Sequence, residues 1–143
     1  MQDQLISFET AKLARNKGFN ESIEWYYYPV AFSLNNIPRL IADGAENRNE
    51  TFYDGDNKEK SLALIKANTI EGFYSAPTQS LLAKWLREIH NIHIEIHSTV
   101  DSGWFYSVFN LSQMNNRIDL DTDFLMSYEE ALEEVLFKVL RLI

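Results

Sequence analysis

His93, Glu95 and His97 alternate with Ile92, Ile94 and Ile96 in the run IHIEIHS. Imidazole and carboxylate are ligands for a divalent metal, and a strand sends every second side chain to one face. The run therefore reads as a candidate metal site and, by extension, as the centre of a metal-dependent hydrolase. Strand geometry limits that reading. Same-face neighbours are roughly 6.5–7 Å apart, which separates His93 and His97 by about 13 Å at Cα, so metal bonds of about 2 Å gather at most two of the three ligands. The remaining histidine, His90, closes the helical pattern that precedes, where an imidazolium complements the C-terminal carbonyls. A solvated strand face with alternating polar residues is the preferred reading.

Asp119, Asp121, Asp123 and Glu130 fall at positions one, three, five and twelve of an EF-hand calcium loop. Position six is Phe124, where that loop needs glycine for its sharp turn, and Glu130 already has a place as the capping-box partner of Ser127. Ser80, Lys84, Arg87 and Asn91 share the polar side of a helical run and resemble a recognition helix, yet only two are cationic and Glu88 stands beside them. The strings WYYY (Trp25 to Tyr28) and WFY (Trp104 to Tyr106) are candidates for a base-stacking platform; without interleaved Lys or Arg they suit a core face and a protein-binding patch better. No GxSxG, P-loop, GxGxxG or HExxH occurs. No catalytic residue and no cofactor are expected, and the enzyme reading stays the weaker one.

The chain behind these residues has 143 positions, 45% of them hydrophobic, enough for one globular domain over 1–143 with a long polar loop at about 43–60. Its 13 basic and 21 acidic residues give a net charge of −8, which repels a phosphate backbone unless the basic residues segregate, and they do not. With no cysteine, no basic leader and no apolar run of about 18 residues, a cytoplasmic protein without membrane attachment is expected. The expected partner is another protein.

Ser7 and FETAKLARNKG read as a capped helix closed by Gly18, with Phe8, Ala11 and Ala14 or Leu13 inward. Ile23 to Tyr28 is β-rich and stops at Pro29. Short strands are expected at Pro38 to Ala42 or Thr51 to Tyr53, helical turns at Ser61 to Ala67, and a strand at Ile70 to Tyr74. Pro77 reads as a first-turn proline, with Ser75 or Ala76 as cap, for a helix whose stripe is Leu81, Leu82, Trp85, Leu86 and Ile89. IHIEIHS and WFYSVFNL, joined by STVDSG, form an antiparallel hairpin. SYEEALEEVLFKVLRLI is a capped helix with Ala131, Leu132, Val135, Leu136, Val139 and Leu140 buried. The order predicts an α+β fold, a mainly antiparallel sheet with helices packed on one face.

APTQSLLAKWLREIHNIHIEI and SYEEALEEVLFKVLRLI, with ISFETAKLARNKGF and the YYY strand, together resemble a group of small proteins encoded in phages, prophages and other mobile elements of gut bacteria. The resemblance covers roughly half of the chain, in the helices and the strand after the central one, and lapses in the long loop and the hairpin. It implies no activity, because that family has no established substrate, cofactor or catalytic residue. A non-enzymatic protein–protein interaction module of mobile-element type is the function these features imply.

Overall fold

A computed structural model describes residues 3–21, 23–28, 39–42, 52–53, 59–60, 73–114 and 116–143. The fold is α+β, and every strand pair among the described residues is antiparallel. The pairs fall into three sheets rather than one. Backbone contacts divide the chain into two compact units, Ser7–Pro77 and a second built from Met1–Ile6 with Thr78–Ile143.

In the Ser7–Pro77 unit, helix α1 (Phe8–Asn16) begins where the Ser7 side chain accepts from the Thr10 amide at 3.3 Å. It ends where Gly18 N–H reaches Arg15 O and Phe19 N–H reaches Ala14 O, at 3.0 and 2.9 Å. That closure puts Gly18 at φ 91°, which a Cβ would oppose. Ala11 and Ala14 are buried as the pattern predicts, with Thr10 beside them. Strand β1 (Trp25–Tyr28) starts two residues later than the sequence suggests and lies between β2 (Arg39–Ala42) and β5 (Tyr74–Ser75). Tyr26 of this strand is buried, and Phe8 meets the rings of Tyr27 and Tyr74 edge-on at 5.3 and 5.4 Å. Arg15 straps the unit by donating to the Phe73 carbonyl at 2.9 Å. Both short strands weighed for the polar stretch form, since β3 (Phe52–Tyr53) pairs with β4 (Glu59–Lys60) inside the expected loop. The helical turns expected at Ser61 to Ala67 and the first residues of the strand expected from Ile70 lie outside the described residues.

The other unit opens with Gln4 and Leu5, held beside the start of helix α2 (Gln79–His90) by a Gln79 N–H to Gln4 O bond of 2.8 Å and a Leu5–Thr78 bridge. The cap of α2 is Thr78, whose hydroxyl accepts from Leu81 N–H at 3.2 Å. Ser75 and Ala76 belong instead to β5 and the link after it, and Pro77 precedes the cap. Leu82, Trp85 and Leu86 are buried, whereas Ile89, expected in the same stripe, is 62% exposed. Asn91 turns the chain out of α2 in the left-handed region at φ 56°. The hairpin then follows as predicted: β6 (Ile92–Thr99) pairs with β7 (Gly103–Asn110), and β8 (Arg117–Ile118) extends the sheet in the order β6-β7-β8.

Helix α3 (Tyr128–Leu142) has the predicted cap, Ser127 accepting from Glu130 N–H at 3.1 Å. Glu130 reaches back one residue further than a capping box requires, to Met126 N–H at 3.0 Å. All six residues of its predicted stripe are buried. Ile92, Tyr106 and Val108 are buried on the sheet face that α2 and α3 cover. Each fully buried Leu or Val here contributes about 1.5–3 kcal/mol. Gln79, buried at the first turn of α2, donates to Glu129 O and to Glu133 Oε2 at 3.0 and 3.1 Å and so fixes one helix against the other.

Candidate functional site

Period-two alternation sends the odd-numbered residues of β6 and β7 away from the helices, so the register assembles one outer face. On it His93 stands opposite Phe109, Glu95 opposite Ser107, and His97 opposite Phe105. Arg117 of β8 pairs with Phe109 and takes the same face by register. Phe124 comes from the segment after β8 and meets the Phe105 ring at 5.9 Å, with 58% of its own surface exposed.

The three metal candidates are brought together as two pairs around one carboxylate. Glu95 Oε1 lies 3.5 Å from His93 Nε2, and Oε2 lies 3.6 Å from His97 Nε2. Both imidazoles lean on phenyl rings, His97 stacked on Phe105 at 5.0 Å and His93 tilted over Phe109 at 6.5 Å. Among the described residues no group of three His, Asp or Glu side chains converges to hold a metal ion. Each histidine is over a third exposed, which leaves the face an open aromatic and polar surface rather than a cleft.

Behind the sheet, on the helix side, Tyr106 carries a polar network that periodicity alone does not reveal. Lys138 Nζ donates to the Tyr106 hydroxyl oxygen at 2.9 Å, to Glu134 Oε1 at 2.6 Å and to the Asp121 carbonyl at 2.6 Å. The Tyr106 O–H has the same Glu134 oxygen at 2.9 Å and the Asp121 carbonyl at 3.1 Å. Burial lifts the Tyr106 hydroxyl above its ordinary value; the Lys138 hydrogen bond opposes this and Glu134 adds to it. Hydrogen bonds to Glu134 first and Tyr106 second hold Lys138 well above the ordinary lysine range against the pull of burial. The available signal was the i, i+4 spacing of Glu134 and Lys138.

The other sequence candidates disperse. Asp119, Asp121 and Asp123 are exposed, and Asp121 contributes its main-chain carbonyl to the Tyr106 network. Glu130 is committed to the α3 cap. Lys84 pairs with Glu88 at 3.8 Å on an exposed helix face. WFY is split by the pleat: Trp104 meets Tyr128 at the start of α3, Tyr106 is buried, and only Phe105 joins the outer face. His90 sits in the last turn of α2 with its ring 4.6 Å from Trp85, and its buried Nε2 has no hydrogen-bond partner among the described residues.

No family model, curated protein or solved structure matches this chain. Among the described residues no helix is long and apolar enough to cross a membrane.

Proposed function

We propose that the protein is a non-enzymatic protein–protein interaction module, of phage or mobile-element type and acting in the cytoplasm, whose contact surface is the outer face of the β6-β7-β8 sheet. One observation carries the reading: Phe105, Phe109 and Phe124 lie on the same open surface as His93, Glu95 and His97. Apolar rings at the centre of a polar rim are the composition of a protein-binding patch, and aromatic residues supply large contact area at low entropic cost.

The charges describe the partner. Glu95 asks for a lysine or arginine, Arg117 at the β8 side asks for a carboxylate, and the phenyl rings between ask for aliphatic or aromatic side chains. Such a partner surface places two opposite charges on either side of an apolar strip. A hydrolase would need a third ligand or a base in addition to the paired histidines, and the resemblance to mobile-element proteins brings no catalytic residue with it.

Crosslinked capture from host lysate tests the reading when wild type is compared with Phe105→Ala/Phe109→Ala. Recurrent recovery of one protein by wild type and its loss in the variant supports it. Equal recovery by both, or no recurrent protein at all, removes the outer face as the contact surface.

A further inference from the structure

We propose that β6 is also a self-pairing edge, through which two copies of this chain join antiparallel along Ile92–Ile96 into a six-stranded sheet. The surface is the edge of the sheet rather than its open face, so the inference goes beyond the reading above and stands independently of it.

Strand β6 is eight residues long and among the described residues pairs on one side only, with β7. Its unused hydrogen-bonding groups can be assigned. Asn91 O accepts from Leu111 N–H at 2.7 Å, and the β6–β7 register continues that pairing to His93–Phe109, Glu95–Ser107 and His97–Phe105. In an antiparallel ladder the hydrogen-bonded pairs alternate, so the odd residues spend their main-chain groups on β7. The N–H and C=O groups of Ile92, Ile94 and Ile96 therefore point off the edge. Natural edges of this length are blunted by lysine, proline or a bulge. The strand has no lysine and no proline, its register with β7 runs without a bulge, and Glu95 is its one formally charged residue.

The sequence itself selects the register. IHIEI read antiparallel onto a second IHIEI, with Ile94 on the two-fold axis, sets isoleucine opposite isoleucine three times. It also sets His93 opposite Glu95 of the partner subunit, twice by symmetry. This register makes the even residues the hydrogen-bonded pairs, as the free groups require. The His–Glu pairs are then the non-hydrogen-bonded ones, whose side chains approach more closely. Moving the axis to Glu95 opposes two carboxylates. Moving it to Ile96 sets Ile94 against Ser98 and runs Ile92 onto Val100 in the turn. Only the first arrangement gives all three of Ile92, Ile94 and Ile96 an isoleucine opposite, and it does so without opposing like charges.

Sedimentation equilibrium of the full chain, with circular dichroism to verify folding, tests the pairing. Wild type is expected to approach twice the 16.7 kDa chain mass as concentration rises. His93→Glu, which opposes two carboxylate pairs across the axis, is expected to weaken the dimer by about tenfold. His93→Glu combined with Glu95→Lys restores opposite charges and is expected to recover it. Amide exchange on wild type is expected to show Ile94 and Ile96 protected in the dimer and released on dilution. A monomer at every concentration, a dimer indifferent to His93→Glu, or Ile94 and Ile96 amides that exchange equally in both states would overturn the proposal.

Discussion

Lys138 donates to the buried hydroxyl of Tyr106 at 2.9 Å, joining the middle of α3 to the middle strand of its sheet. Because Glu134 and the Asp121 carbonyl complete the same network, the tie also holds the acidic segment after β8 in place. Tyr106→Phe removes the hydroxyl that Lys138 and Glu134 share. It is expected to cost about 1–3 kcal/mol in urea unfolding, and a cost below a few tenths would mean that water serves the network as well as the hydroxyl does.

The pH dependence of that tie has a definite sign. Both Tyr106 and Lys138 are raised in the folded state, so the stability they add is fully present below their unfolded values of about 10 and 10.4 and is lost as pH rises through the folded ones. Urea midpoints are expected to hold at neutral pH and to fall above about pH 10 more steeply in wild type than in Tyr106→Phe/Lys138→Met. Parallel curves for the two proteins would contradict the assignment.

Gly103 stands at φ 93°, and a Cβ built there would run into the Leu125 main-chain carbonyl. Leu125 is bonded in both directions to Trp104, at 2.9 and 2.8 Å, so it has little freedom to move away. Gly103→Ala is expected to destabilise by about 2 kcal/mol or more, through both the backbone conformation and the clash. Gly18→Ala meets open space and carries the conformational cost alone, about 1 kcal/mol. Thermal melts of the two variants side by side check the order.

His90 keeps a buried ring nitrogen without a partner beside Trp85. Replacing a group in that state by an apolar ring removes a desolvation cost, so His90→Phe is expected to leave stability unchanged or raise it by about 1 kcal/mol. A loss of more than that amount would mean that the nitrogen is satisfied in solution.

Zinc titration addresses the metal reading of His93, Glu95 and His97 directly. Each histidine has one carboxylate oxygen within reach and no third ligand among the described residues, so stoichiometric uptake at micromolar zinc is not expected from the monomer. One zinc per chain, abolished by Glu95→Gln, would instead make the outer face a metal centre.

Much of this architecture is legible in the chain because it follows from local periodicity. The α3 stripe, the Ser7 and Ser127 caps and the β6–β7 hairpin each rest on residues within a few positions of one another. Failures occur where a distant group decides. Ile89 continues the α2 pattern but finds no cover, and Thr78 rather than Ser75 caps the helix because Ser75 is already paired in a strand. The outer face was half legible: alternation placed His93, Glu95 and His97 together, whereas Phe124 and Arg117 join them only through the path of the chain after β7. No spacing rule announces that path.

The bond from Gln79 to Gln4 and the bridge from Thr78 to Leu5 have a consequence for the order in which the protein is made. Everything from Ser7 to Pro77 is synthesised between those partners, so at about 5–20 residues per second the first residues wait roughly 4–15 s for the segment they dock against. The continuous unit has all its strands on the ribosome before the interrupted one has begun its sheet. On a nascent chain the two therefore mature in sequence, and the face built by β6, β7 and β8 exists only after the whole of the Ser7–Pro77 unit has been synthesised.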